Sequence, residues 1–226
     1  MRSKVMVVAA IVAVVGAFWF LRPNEPAAVS PPAAVPAPPL PPATPTGELA
    51  ATADCLLAVM VNEGEYESAR EADAGDFAWQ PWLGPIGIGF VCDRGQGEGR
   101  WLSRAELEAI PLDGGTIESV MLANLDRRIG NLPFMPVRDT GVGTNARDDA
   151  YAASLLLLES AWLEMDRTEG SVLVAAPGRG KIFVAPGGPE LEKPLRTLAQ
   201  QAFQLEPDPL YDGVLARRDG GWELLP

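Results

Sequence analysis

The chain has 226 residues, 18 basic and 30 acidic groups for a formal net charge of −12, and no histidine. The missing imidazole removes the commonest general base, the commonest metal ligand and the usual partner of a serine or cysteine nucleophile. The acidic balance disfavours nucleic acid, which draws affinity from clustered Lys and Arg, and two cysteines are too few for a Cys/His zinc site within one chain.

Arg2 and Lys4 open the chain, and an unbroken apolar run from Val5 to Leu21 follows, seventeen residues long. As a helix it would rise about 25 Å, the short end of what crosses a bilayer core of about 30 Å. Positive charge in residues 1–4 places that tip in the cytoplasm, and Phe18, Trp19 and Phe20 sit at the outer end, where aromatic rings suit the interface. The expectation is a signal anchor over residues 5–21 that holds everything downstream on the far side of the membrane. A cleaved signal peptide is the rival, although its apolar region usually has only about 7–15 residues.

Residues 22–46 carry ten of the 22 prolines. Proline fixes φ and removes a donor, so this segment reads as an extended polyproline II spacer rather than a packed element. A ligand for a proline-recognising groove is the functional alternative. Residues 47–226 are then one domain of ordinary size, with 15 basic and 29 acidic groups and a net charge of −14.

Within that domain, ELAATADCLLAVMVN reads as a helix with Leu49, Ala53, Leu56, Val59 and Met60 near one face. The charged stretch EGEYESAREADAGD reads as solvated, and DFAWQPWLGPIG as a loop crowded by Phe77, Trp79 and Trp82. IGIGFVCDR alternates Ile86, Ile88, Phe90 and Cys92 on one face of a strand, and GQGEG turns the chain. Ser103 with Glu106 forms a capping-box signature for a short helix ending near Pro111, and a second helix runs from Thr116 to Arg128 against Gly130.

Arg147 to Arg167 reads as the longest helix, with Tyr151, Leu155, Leu158, Trp162 and Met165 on one core-facing stripe. SVLVAA and KIFVAP are strands joined by a PGRG turn, Pro189 opens a helix that runs to Phe203, and PLYDGVLAR with GWELL makes a final hairpin. The order implies the α+β class, an antiparallel sheet with helices packed on one face, preceded by the transmembrane helix and the proline-rich linker.

Several motifs bear on function. Gly141, Gly143 and Ala146 spell G-x-G-x-x-A, but no βαβ unit surrounds them, and Asp148 with Asp149 puts negative charge where a pyrophosphate would sit. A flexible loop leading into a helix is the better reading, and Gly180-Lys181 is a hairpin turn rather than a phosphate loop. Cys55 and Cys92 both lie in apolar surroundings. They are either inert thiols or a disulfide closing a loop of about 38 residues, which in the chain-entropy model contributes roughly 3–4 kcal/mol. Phe77, Trp79 and Trp82 either plug one end of the core or form a binding surface, since Trp offers large contact area at low entropic cost. No cofactor, metal ligand set or catalytic group stands out; Asp148 and Asp149 are the least implausible carboxylate pair.

The stretches DDAYAASLLLLESAWLEM, SVLVAAPGRGKIFVAP and DPLYDGVLARRDGGWELL resemble the YtpQ-like family of uncharacterised bacterial proteins, clearest over residues 148–225. Asp149, Tyr151, Ala153 and Ser154 match its DGYDAS-like run, and Ala176 with Pro177 the end of its VAVP strand. The likeness implies a fold and no activity. Two acids expected from it are replaced here by Ala152 and Gly180, so any catalysis that depends on them in the family is lost in this chain. Taken together, the expectation is a single-pass protein of a bacterial inner membrane whose periplasmic domain serves as an interaction or accessory module, with another protein as partner; an anchored carboxylate hydrolase is the alternative.

Overall fold

Antiparallel strands and helices are interleaved along the chain, as the α+β class requires. The computed structural model describes residues 50–71, 76–95 and 99–226. The expected cytoplasmic tip, anchor and proline-rich linker, the residues 47–49 and the centre of the GQGEG turn lie outside the described residues. Among the described residues no helix is long and apolar enough to cross a membrane.

The first sheet contains β1 (Leu56–Asn62), β2 (Trp79–Leu83), β3 (Ile86–Cys92) and β4 (Arg100–Trp101); β3 pairs with all three of the others. The segment expected to begin the domain as a helix is instead a 3-10 turn, Ala53–Cys55, followed by β1. Six of the seven β1 residues are buried. A strand covered on both faces loses the alternation that marks a half-buried one, so LLAVMV reads equally as helix from periodicity alone. The charged stretch also differs from expectation, because Glu63–Glu71 folds as helix α1 with Glu63 and Glu65 favourably placed in its first turn.

Capping boxes open the next two helices, one of them the Ser103/Glu106 pair expected from the sequence. Ser103 accepts from the Glu106 N–H and Glu106 returns a bond to the Ser103 N–H, opening α2 (Arg104–Glu108). Thr116 and Ser119 do the same for α3 (Ile117–Ile129). Two three-residue strands that the sequence reading did not contain, β5 (Phe134–Pro136) and β6 (Gly143–Asn145), follow as a pair. The G-x-G-x-x-A run therefore includes a strand rather than leading into a helix.

No continuous helix spans residues 147–167. Ala152–Leu157 is a 3-10 helix, Leu158 is extended (φ −91°, ψ 101°), and only then does α4 (Glu159–Glu169) begin. The interruption has a tertiary cause. The Ala153 N–H donates to the Arg179 carbonyl, and the Ser154 hydroxyl receives the Met60 N–H, so this buried segment bonds to its neighbours as well as through its own three-residue turns, in which the Ser154 N–H donates to Tyr151 and the Leu158 N–H to Leu155. Tyr151, Leu155, Leu158 and Trp162 are buried core residues as their spacing implies, although the helix proposed to carry them is broken.

The second sheet has the order β10-β9-β7-β8-β6-β5, built on the hairpin β7 (Val172–Gly178) and β8 (Lys181–Pro186) and closed by β9 (Val214–Arg218) and β10 (Gly221–Leu225). Helix α5 (Pro189–Phe203) spans the expected range, with Pro189 at its first position. Two sheets thus replace the single sheet expected, and the second is covered on both faces. Leu173, Ala175 and Phe183 pack with Leu195 and Ala199 of α5, whereas Val172, Val174 and Ile182 join the main core with Trp162 and Leu155.

Candidate functional site

The three aromatic residues singled out from the sequence do not sit in a loop. Trp79 and Trp82 lie in edge strand β2, and Phe77 forms an isolated antiparallel bridge with Ser103. Pro81 and a register shift between Pro81 and Leu83 disguised the strand, since proline is confined to edges and bulges.

Phe77 and Trp79 are locked into a ring stack. Trp79 lies face to face with Tyr66 of α1 at 4.9 Å, Phe77 stands edge-on to Tyr66 at 5.0 Å, and Phe77 packs at a tilt on Trp101 of β4, also at 4.9 Å. Such pairs contribute beyond their buried area. Gly87 and Gly89 of β3 make room for it. A Cβ on Gly87 would stand 2.1 Å from the Trp79 indole nitrogen, and one on Gly89 would stand 2.4 Å from the Trp101 ring. The two glycines are where indoles approach the sheet backbone, the use a strand interior has for glycine. Arg179, from the β7–β8 turn, caps the stack with its guanidinium 5.1 Å from the Trp101 ring centre and an ion pair to Glu65.

Trp82 is not part of that stack. With Trp79 it lines a groove of about 1030 Å³ that runs between β2, the helices α2 and α3, the 3-10 helix and β10. Its deepest residues are aliphatic or aromatic and buried: Ile88, Phe90, Met121 and Leu156. Half-buried Trp79, Trp82, Leu122, Leu157 and Trp222 form the walls, and Gln80, Arg104, Glu108, Glu118 and Glu159 stand exposed at the edge. Arg217 also borders the groove, yet its side chain is only 2% exposed. Its Nη2 lies 2.8 Å from Glu159, its Nε donates to Asp166 at 2.9 Å, and its guanidinium lies 5.4 Å from the Trp222 ring centre. The charge of Arg217 is thus satisfied within the domain. Sequence reading missed α3, the 3-10 helix and Trp222 as walls, because sequence spacing carries no trace of contacts this distant in the chain.

Cys55 and Cys92 form a disulfide across a sequence separation of 37, at the end where β1 begins and β3 finishes. Asn124 of α3 donates from one amide nitrogen to the carbonyls of Ala53 and Leu56, which ties a groove wall to the same end of the sheet.

Asp148 and Asp149 border a second cavity, of about 670 Å³, together with Tyr151, Arg179, Lys181, Glu206 and Asp208. The two neighbours have different roles. Asp149 accepts the Tyr151 N–H at 3.1 Å and lies 3.9 Å from the Arg128 guanidinium, whereas Asp148 is exposed. Burial pushes the Tyr151 hydroxyl well above its usual range, helped by its 2.9 Å hydrogen bond to Asp93. Partial burial likewise raises Glu206, opposed by the Lys181 charge and reinforced by Asp148 and Asp208. Glu206 was not apparent from the sequence, where it follows a helix in an ordinary polar turn. Of the two positions where the family likeness leads one to expect acids, Gly180 borders this cavity and Ala152 is fully buried.

No protein-family model, no curated protein and no solved structure matches the chain.

Proposed function

We propose that this protein is a membrane-tethered interaction module, anchored through residues 5–21 in a bacterial inner membrane and presenting its folded domain in the periplasm to a protein partner. The groove lined by Trp79, Trp82, Leu122 and Trp222 is the observation that carries the reading. Large aromatic and aliphatic walls around a buried apolar floor, with charge confined to the edge, are the composition of a recognition surface: an anchor-accepting centre and a polar rim. The Cys55–Cys92 disulfide is in keeping with an oxidising compartment outside the cytoplasm, and the charge-asymmetric apolar run at the start of the sequence supports the tether.

The cavity around Asp148, Glu206 and Asp208 supports a second reading, an anchored hydrolase using carboxylates, because partial burial raises the Glu206 carboxyl while Asp148 and Asp208 border the same cavity, and carboxyl groups in unlike environments can divide acid and base work. It ranks behind the first, since Asp149 is engaged with Arg128 and the Tyr151 backbone.

The test is site-specific photo-crosslinking in intact cells, with a benzophenone side chain at Trp82 and, as control, at Leu205, which is 84% exposed outside the groove. A discrete protein adduct from position 82 and none from position 205 is expected. Identical products from both positions, or none from position 82, would reject the groove as a recognition surface.

A further inference from the structure

Resting on the interaction reading, we propose that the occupant of the groove is an amphipathic helical segment of another protein, its apolar side chains flanked by Lys and Arg. Size and lining set what the groove can accept. At about 1030 Å³ it stands at the upper end of what one small ligand fills, and its buried floor of Ile88, Phe90, Met121 and Leu156 suits several aliphatic or aromatic side chains spaced along a helix. Pairing of an extended segment against β2 is disfavoured, because Pro81 has no N–H to offer and the register shifts there.

Charge narrows the occupant further. Arg217 bears on the groove but is neutralised by Glu159 and Asp166. Besides Glu159, at its exposed edge Glu108 and Glu118 outnumber Arg104, on a domain whose net charge is −14. A second copy of the chain would bring the same acidic field to an acidic rim, as would an acidic segment, whereas Lys and Arg beside the apolar anchors would meet Glu108 and Glu118. The apolar floor supplies affinity and the rim selects the sign of the partner.

The experiment uses the full-length protein in nanodiscs of neutral lipid, with empty discs subtracted, and three fluorescein-labelled peptides of about 18 residues. One carries Leu and Phe at helical i, i+3, i+4, i+7 spacing with Lys elsewhere, the second replaces every Lys by Glu, and the third scrambles the first so that no apolar face forms. Anisotropy titration should show the Lys peptide binding at least about tenfold more tightly than either control, and the E108K/E118K variant, its fold checked by melting, should lose about tenfold for that peptide. Equal binding of the Lys and Glu peptides would overturn the charge inference while leaving the groove as a binding surface. Equal binding of the scrambled peptide would overturn it as mere electrostatic adsorption. If no peptide binds but position 82 still yields its adduct in cells, this inference falls and the interaction reading stands; if both fail, both fall.

Discussion

Replacing both cysteines by alanine tests how the first sheet is held. Cys55 is 3% exposed and Cys92 8% exposed, and the bond between them closes a loop with a sequence separation of 37. In the chain-entropy model a loop of that length contributes about 3–4 kcal/mol by restricting the unfolded chain. For a domain of this size each kcal/mol moves the melting temperature by about 2–4 °C, so the C55A/C92A protein should melt about 6–16 °C lower. Alanine is preferred to serine because a buried hydroxyl without a partner would add its own cost. The assay is thermal denaturation of the full-length chain followed by near-ultraviolet circular dichroism, paired with alkylation of protein taken from cells and unfolded without reductant. Native protein should take up no alkylating reagent and the variant should melt in the lower range. Two reactive thiols in the native protein, or a variant that melts within about 2 °C of it, would refute the reasoning.

Three further outcomes follow from particular contacts. Gly87→Ala should destabilise by about 1–3 kcal/mol, because its new Cβ would stand 2.1 Å from the Trp79 indole nitrogen and the ring stack must shift; chemical denaturation would show it. Ser103→Ala should cost about 1 kcal/mol in the same assay through loss of the cap on α2. Burial raises the Glu206 carboxyl in the folded state, so its contribution favours folding where the group is protonated and fades as pH rises through the folded value. Glu206→Gln should therefore melt higher than native protein at about pH 7.5 and match it at about pH 3, below the ordinary carboxylate range.

Local chemistry was legible in the sequence where it sets structure alone. The capping pair Ser103/Glu106, Gly130 behind the second helix, the first-turn Pro189 and the glycine-bearing hairpin turns placed α2, α3, α5 and the two long hairpins. Reading failed where tertiary contacts decide. LLAVMV is covered on both faces and so carried no period, and the helix expected through Leu158 was broken by bonds to Met60 and Arg179. The aromatic segment was recognised as unusual, yet its parts separated: Phe77 and Trp79 stack on Tyr66 and Trp101, and only Trp82 is left to the groove without entering that stack. Gly87 and Gly89, spaced by two in a strand beside tryptophans, were the available signal that rings lie across the backbone.

The central claim, a folded domain tied to the membrane and working outside the cytoplasm, is tested most directly by protease access to the full-length chain. Detection at the C-terminus in intact cells, spheroplasts and carbonate-washed membranes should show a domain that stays with the membranes and is degraded in spheroplasts but not in intact cells. A domain protected in spheroplasts, or one released to the periplasm with a new N-terminus, would contradict the account.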